Sequence, residues 1–282
     1  MKTIQLNNNQ EIPAVGFGVF MIPNDGPTYD ATLAALKAGY RHIDTAAGYM
    51  NESDVGKAIK DSGIDRKEIF ITSKLWLQDY GYENAKKGIE TSLKYLQTDY
   101  IDLYLLHQPY GDYLGAWKAL EEAVDEGKIK SIGISNITVN LWNKFKNGMN
   151  ITPVVNQVEF NPFTQQRELR KAMEESNIKL EAWYPLGHGN KDLLENETIV
   201  SLANKYNKNA GQIILRWIYQ EGVISLPKST NPQRMQGNID IFDFELTQEE
   251  METIQALDTG KATHNPEDPA NETRLMGLKI HD

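Results

Sequence analysis

Eight short runs of β-branched and apolar residues recur along the chain, starting near residues 16, 41, 69, 101, 131, 154, 179 and 223. Their spacing constrains the fold more than any other feature: the intervals are 25, 28, 32, 30, 23, 25 and 44 residues. Each interval holds a strand, a crossover helix and a return, which is what parallel strands require. The last is longer because it carries two helical stretches, about Glu197–Tyr206 and Ala210–Gln220. Several runs follow a glycine, as in Gly39-Tyr-Arg-His-Ile-Asp and Gly222-Val-Ile-Ser-Leu-Pro, where a helix ends on a left-handed residue just before a strand. Eight such units without a low-complexity linker predict a (β/α)8 TIM barrel occupying residues 1–282 as one domain. A doubly wound open sheet is the competing fold, but no G-x-G-x-x-G follows the first run.

Local patterns add detail. Thr3–Leu6 and Glu11–Val15 flank the turn-rich Asn7-Asn8-Asn9 and predict an N-terminal β-hairpin over residues 1–15. Ala85, Ile89, Leu93 and Leu96 share one face of a helix. Trp117, Leu120 and Val124 do the same, with Glu121 and Glu122 on another face. Asn51 is the expected N-cap of a short helix that carries Val55 and Ile59, with Asp54 in its first turn. Residues 260–282 form a C-terminal extension rich in prolines and turn-formers.

Composition removes whole classes of function. With no cysteine, the chain has no disulfide framework, no cysteine-ligated zinc, no iron–sulfur cluster and no thiol nucleophile. A net charge of −10 argues against general affinity for nucleic acid or an anionic membrane, whose phosphates need a basic face. There is no signal-peptide pattern at the N-terminus and no apolar run of bilayer-spanning length, so a soluble cytoplasmic protein is expected.

In a barrel of this type, chemistry sits where the strands end at their C-termini. Strand two ends on Asp44, with Tyr49 in the loop that follows. Strand three runs into Lys74 and strand four into His107. Strand five ends in Ser135-Asn136, and strand six continues to Gln157-Val158-Glu159. Consecutive strands are neighbours, so Asp44, Lys74 and His107 converge on one rim. Singly, each residue has an ordinary structural reading: Asp44 and Ser135 as caps or turns, Lys74 snorkelling into water, His107 as a satisfied turn histidine. Together they make chemical sense. A free tyrosine titrates near ~10, and a lysine ammonium held close, itself fixed by Asp44, is expected to lower that by ~1–3. The result is a general acid poised over a carbonyl, with His107 donating to the substrate oxygen and no metal needed.

Seven segments in register then resemble the aldo-keto reductase superfamily over nearly the whole chain. They are Gly16-Phe-Gly-Val-Phe20, Arg41-His-Ile-Asp-Thr-Ala-Ala-Gly-Tyr49, Ile71-Thr-Ser-Lys-Leu-Trp76, Asp102-Leu-Tyr-Leu-Leu-His107, Gly133-Ile-Ser-Asn136, Asn156-Gln-Val-Glu159 and Leu226-Pro-Lys-Ser-Thr230. The chain looks most like the prokaryotic branch that includes 2,5-diketo-D-gluconate reductases and broad aldehyde reductases. The resemblance implies that Asp44, Tyr49, Lys74 and His107 match the catalytic tetrad, with Tyr49 as general acid. It also implies an NADPH cofactor stretched across the barrel mouth. Ser135, Asn136 and Gln157 match the contacts to the nicotinamide carboxamide, and Trp183 matches the aromatic stacked on the ring. Gly18, Val19, Phe20 and Asp44 line the same end, while Leu186 and Gly187 open the loop over the pyrophosphate. Lys228, Ser229, Thr230, Asn231, Arg234 and Asn238 match the adenosine end, where the basic pair meets the 2′-phosphate.

The physical reading of that last segment agrees, because a short helix N-terminus beside Lys228 and Arg234 favours an anion. Tyr184, Gln108 and Gly237 depart from the usual family residues, none of them in the tetrad. Phe20, Met21, Trp76 and Tyr110, with Tyr49 and His107, are the candidate substrate pocket, although ordinary packing explains the apolar ones equally well. The expected activity is reduction of a small-molecule aldehyde or ketone by a monomeric enzyme. Two alternatives are a Schiff-base lyase using Lys74, which the neighbouring carboxylate opposes, and a non-catalytic NADP(H)-binding redox sensor.

Overall fold

A computed structural model describes residues 2–282. It contains ten strands: β1 (Thr3–Gln5), β2 (Glu11–Pro13), β3 (Phe17–Gly18), β4 (His42–Asp44), β5 (Phe70–Leu75), β6 (Ile101–Leu106), β7 (Ile129–Ser135), β8 (Val155–Glu159), β9 (Lys179–Trp183) and β10 (Ile224–Ser225). Strands β3 to β10 lie side by side in chain order and are all parallel. The two edges meet: Val15 bridges Ser225 in parallel, Gly16 N donates to Ser225 O at 2.8 Å, and Ser225 N donates to Ala14 O at 3.0 Å. The eight expected strands thus close into a (β/α)8 barrel with helices between them. Closure satisfies both sheet edges, which an open sheet would leave unpaired.

β1 and β2 form the expected hairpin, which covers the N-terminal end of the barrel. Its Leu6 and Ile12 pack with Phe70, Leu103, Val155 and Ile224 in a cluster separate from the larger strand–helix core. The interior is tight at Gly133, where an added Cβ would lie 2.6 Å from Leu105 and 2.9 Å from Val155. A cavity also opens at this end, lined in part by Asn7, Gln10, Lys130 and Asn177, on the opposite side from the strand C-termini. No helix among the described residues is long and apolar enough to cross a membrane.

The helix Tyr82–Leu96 buries Ala85, Ile89, Leu93 and Leu96 as their spacing requires. In the helix Tyr113–Asp125 the sequence expectation needs correction at Glu121, which is buried with Trp117 and not on a separate polar face. It accepts from Trp117 Nε1 (3.0 Å) and from the backbone N–H groups of Asn150 (2.6 Å) and Ile151 (2.8 Å), which replaces the water it loses. Asn51 precedes the helix Glu52–Asp61, but its side chain does not cap it. Its Oδ1 accepts from Thr45 Oγ1 at 2.8 Å and its Nδ2 donates to Val19 O at 3.2 Å and Ile22 O at 3.3 Å. It thereby ties the loop after β3 to the segment after β4. The C-terminal extension is not all turn, since Pro269–Met276 is helical behind the Asp268 N-cap.

Glu52 at the start of its helix is buried against β5, where it accepts from Ser73 Oγ. Burial dominates its titration and pushes the carboxyl from 4.5 up to about 7. The folded state therefore holds a proton that the unfolded state releases first, and stability falls as pH rises from 4.5 through 7. Linkage makes this a cost of roughly 3 kcal/mol to the folded state above that window. Glu52→Gln should show little change in thermal midpoint near pH 4.5 and a gain of several degrees at pH 8. A difference between variant and wild type that stays constant with pH would contradict a protonated Glu52.

Candidate active site

The C-terminal ends of β4, β5 and β6 bring Asp44, Lys74 and His107 to one wall of the barrel mouth, and the turn Ala47–Tyr49 after β4 folds Tyr49 over them. Lys74 lies within β5 and does not snorkel, because its side chain is fully buried. Its Nζ donates to Asp44 Oδ1 at 2.7 Å, Thr45 O at 2.8 Å and the Tyr49 hydroxyl at 3.3 Å. Three acceptors satisfy the three ammonium protons, which is the condition for burying a lysine charged. The His107 ring meets Tyr49 edge-on with centroids 5.4 Å apart, and Trp76 at 5.1 Å. Gly48 makes this packing possible, since a Cβ there would lie 2.7 Å from the Trp76 ring.

Burial and charge compete at each group. Burial works against the Lys74 ammonium, but Asp44 and then Tyr49 outweigh it and hold Lys74 above its ordinary value. Burial raises the Asp44 carboxyl, while Lys74 and a hydrogen bond from Gln157 pull it down. For Tyr49 the sequence expectation of a lowered value is overturned. Burial outweighs the Lys74 charge and leaves the phenol above its usual range, with Asp44 and Glu181 adding to the rise. Tyr49 therefore keeps its phenolic proton at neutral pH. Burial, then Lys74, holds His107 well below the ordinary histidine range, so its ring is neutral. Its Nδ1 is buried without a partner, and Nε2 has none among the described residues.

Other expected site residues surround this wall. Ser135 Oγ donates to Gln157 O at 2.9 Å, and Asn136 Oδ1 accepts from Trp183 Nε1 at 3.0 Å, which fixes the half-buried indole at the end of β9. The Gln157 amide is turned inward, with Nε2 donating to Asp44 Oδ2 and Glu181 Oε2, both at 2.8 Å. Leu186 and Gly187 lie in a tight loop in which Tyr184 and His188 both have positive φ and their rings lie 4.3 Å apart. Gly18 ends β3 and Val19 follows it, both buried, whereas Phe20 and Met21 are exposed at the rim, the Phe20 ring centroid 4.9 Å from that of Tyr49. Trp76 and Tyr110 are buried with their polar atoms held by the C-terminal extension: Trp76 Nε1 donates to Leu278 O and Tyr110 OH to Pro266 O, both at 2.9 Å.

The family model described as "Aldo/keto reductase family" matches residues 15–259. The chain belongs to this family. Among its relatives is the glyoxal reductase of Bacillus subtilis (strain 168), 48% identical over 256 residues that cover 90% of this chain and 92% of the relative. The methylglyoxal reductase DkgA of Escherichia coli (strain K12) is 41% identical over 261 residues, covering 92% and 94%. The crystal structure of MGS-M4, an aldo-keto reductase enzyme from a Medee basin deep-sea metagenome library, superposes with a TM-score of 0.90 at 45% identity. That match covers 93% of this chain and 97% of the other.

As an aldo/keto reductase the protein is an oxidoreductase, and such enzymes use NAD(P)H. The residues at the mouth fit such a group. Lys228 and Arg234 are exposed and make no ion pair among the described residues. They flank the N-terminus of the helix Pro232–Ile239, where backbone donors favour an anion. Asn231 caps that helix by accepting from Arg234 N at 3.1 Å, and Ser229 is buried beside it, donating to Asn231 O at 3.4 Å. Thr230 is exposed in the same turn, while Asn238 is buried. Sequence reasoning missed Glu181 altogether. Its signal was a carboxylate between Leu180 and Ala182 in a strand covered on both faces, where an acid is almost never free of a partner.

Proposed function

We propose that the protein reduces aldehydes and ketones to alcohols with NADPH, Tyr49 delivering the proton to the carbonyl oxygen. The observation that carries this reading is the Tyr49 hydroxyl held 3.3 Å from a buried lysine that is itself locked to Asp44 at 2.7 Å. When bound, the dihydronicotinamide supplies a hydride to the carbonyl carbon. The chain's own residues do the rest. Neutral His107 orients the carbonyl oxygen by donating from Nε2, since Nδ1 is sealed from the mouth. Tyr49 gives up its proton as negative charge grows on that oxygen. The Lys74 ammonium stabilises the phenolate left behind, and Asp44 keeps that ammonium charged. Trp76 and Phe20 exclude water beside the reacting carbon. Ser135, Asn136 and Trp183 would hold the nicotinamide, and Gln157, its Nε2 committed to carboxylates, would offer its carbonyl oxygen to the carboxamide.

The names of two relatives, glyoxal reductase and methylglyoxal reductase, put small 1,2-dicarbonyls at the head of the substrate panel. The test is loss of nicotinamide absorbance when NADPH is mixed with the protein and such a panel. Measurable NADPH binding with no turnover on any carbonyl would defeat the reading. We take the enzyme to act as a cytoplasmic monomer, and a sedimenting particle of twice 32.0 kDa would refute the monomer.

Preference for NADPH is assigned to Lys228 and Arg234. A charged hydrogen bond contributes ~1.5–3 kcal/mol, so Arg234→Ala should weaken NADPH by roughly ten- to a hundredfold. NADH, which lacks the 2′-phosphate, should be nearly unaffected. Equal loss for both cofactors in a fluorescence titration would remove Arg234 from the phosphate site.

A further inference from the structure

Beneath the tetrad the barrel interior holds a second fully buried acid that the mechanism above does not use. Glu181, on β9, accepts from Gln157 Nε2 at 2.8 Å through Oε2. The same nitrogen donates to Asp44 Oδ2 at 2.8 Å, so one amide holds both carboxyl groups. Glu181 Oε1 has no hydrogen-bond partner and lies 3.8 Å from His42 Nε2, which is engaged with Thr72 Oγ1 at 2.9 Å. The titratable groups facing Glu181 are thus Asp44 and His42 from β4, Lys74 from β5 and Tyr49 from the turn after β4.

Charge counting in this cluster is restrictive. Its only cation is Lys74, because His42 is fully buried and burial brings it down to about 3. Two ionised carboxylates beside one ammonium would leave a net negative charge in the barrel interior. Such an uncompensated charge is strongly unfavourable away from water, and an acid avoids it by keeping its proton. Lys74 contacts Asp44 directly and does not contact Glu181, so the proton belongs on Glu181.

We propose that Glu181 is a positioning residue that retains its proton at neutral pH, orienting Asp44 through Gln157 and leaving Asp44 the sole counter-ion of Lys74. Burial first, then the Asp44 charge, pushes its carboxyl up to about 8, in agreement with the geometry. Above that pH Glu181 ionises and its negative charge makes the Tyr49 proton harder to remove. Glu181 therefore acts on the proton donor at a distance, without touching substrate or cofactor.

The carboxyl titration that tests this does not depend on turnover, whereas the kinetic arm rests on the carbonyl-reduction reading. In wild-type protein labelled with 13C at the glutamate carboxyls, two signals should titrate far above the ordinary range, near 7 for Glu52 and near 8 for Glu181. Glu181→Gln should delete the second and keep the first. In the kinetic arm, Glu181→Gln should move the alkaline limb of the kcat/KM profile for carbonyl reduction to lower pH by ~0.5–1 unit, because the repelling charge is gone. A merely structural Glu181 would lower kcat without moving that midpoint. The proposal is overturned if every glutamate carboxyl but Glu52 is ionised at pH 7, or if the two pH profiles share one midpoint. Should the variant fail to fold, the wild-type titration alone decides. Should wild type reduce no carbonyl, the function has failed while the titration still reads the proposal.

Discussion

Tyr49→Phe is expected to lower kcat for carbonyl reduction by two to four orders of magnitude, the range that a positioned general acid contributes. The substitution removes one oxygen and keeps the ring that packs on Phe20 and His107 at centroid distances of 4.9 and 5.4 Å. The cavity stays filled, and the Kd for NADPH should change by less than about threefold. Lys74 keeps Asp44 and Thr45 O as partners at 2.7 and 2.8 Å, so the buried charge remains compensated. Stopped-flow absorbance for turnover and nicotinamide fluorescence for binding separate the two effects. Parallel loss of binding and turnover would mean that Tyr49 shapes the cofactor site and is not the proton donor.

The second large effect falls on stability. Lys74→Met leaves the Asp44 carboxylate buried without its counter-ion, and breaking a buried pair in this way costs about 3–5 kcal/mol. For a chain of this size that is a fall in thermal midpoint on the order of 10 °C. Activity should be lost as well, because in the proposed mechanism nothing then stabilises the Tyr49 phenolate. Adding Asp44→Asn to Lys74→Met should restore most of the stability and none of the activity, since an amide needs no cation. If the double variant is no more stable than Lys74→Met, the single variant's loss comes from packing and not from an unpaired charge.

Much of this site was legible before any fold was known. Asp44, Lys74 and His107 each follow an apolar run, and an all-parallel barrel sends consecutive runs to adjacent positions on one rim. Strand existence was equally plain, because eight runs separated by helical spacing admit few other packings. The helices Glu197–Tyr206 and Ala210–Gln220 match in structure the residue limits read from their periodicity. Asn51 and Glu121 went the other way. Both sit at positions where local pattern suggests a cap or a solvated face, and both are claimed instead by partners distant in sequence. A single-sequence pattern holds no record of such partners.

The pKa directions were not legible either. A lysine beside a tyrosine predicts a lowered phenol when the pair is solvated. Here the group is buried, and desolvation of the phenolate exceeds the attraction of the ammonium. Burial of a side chain follows from how helices, hairpin and extension cover it, and composition says nothing of that.

The order of elements, the barrel, the residues at each strand end and the family resemblance were all determined by the sequence alone, because they rest on periodicity and on short motifs. Only tertiary structure decided what those residues do to one another. Gln157 reaches Asp44 across 113 residues of chain and Glu181 across 24, contacts that exist only once β4, β8 and β9 turn their side chains into one closed interior. Trp76 is roofed by Leu278 from 202 residues away. The physical reason is that the inside of a closed barrel is a shared, nearly waterless space. A polar side chain there must find its partner among residues from other strands, and that choice depends on register, tilt and closure.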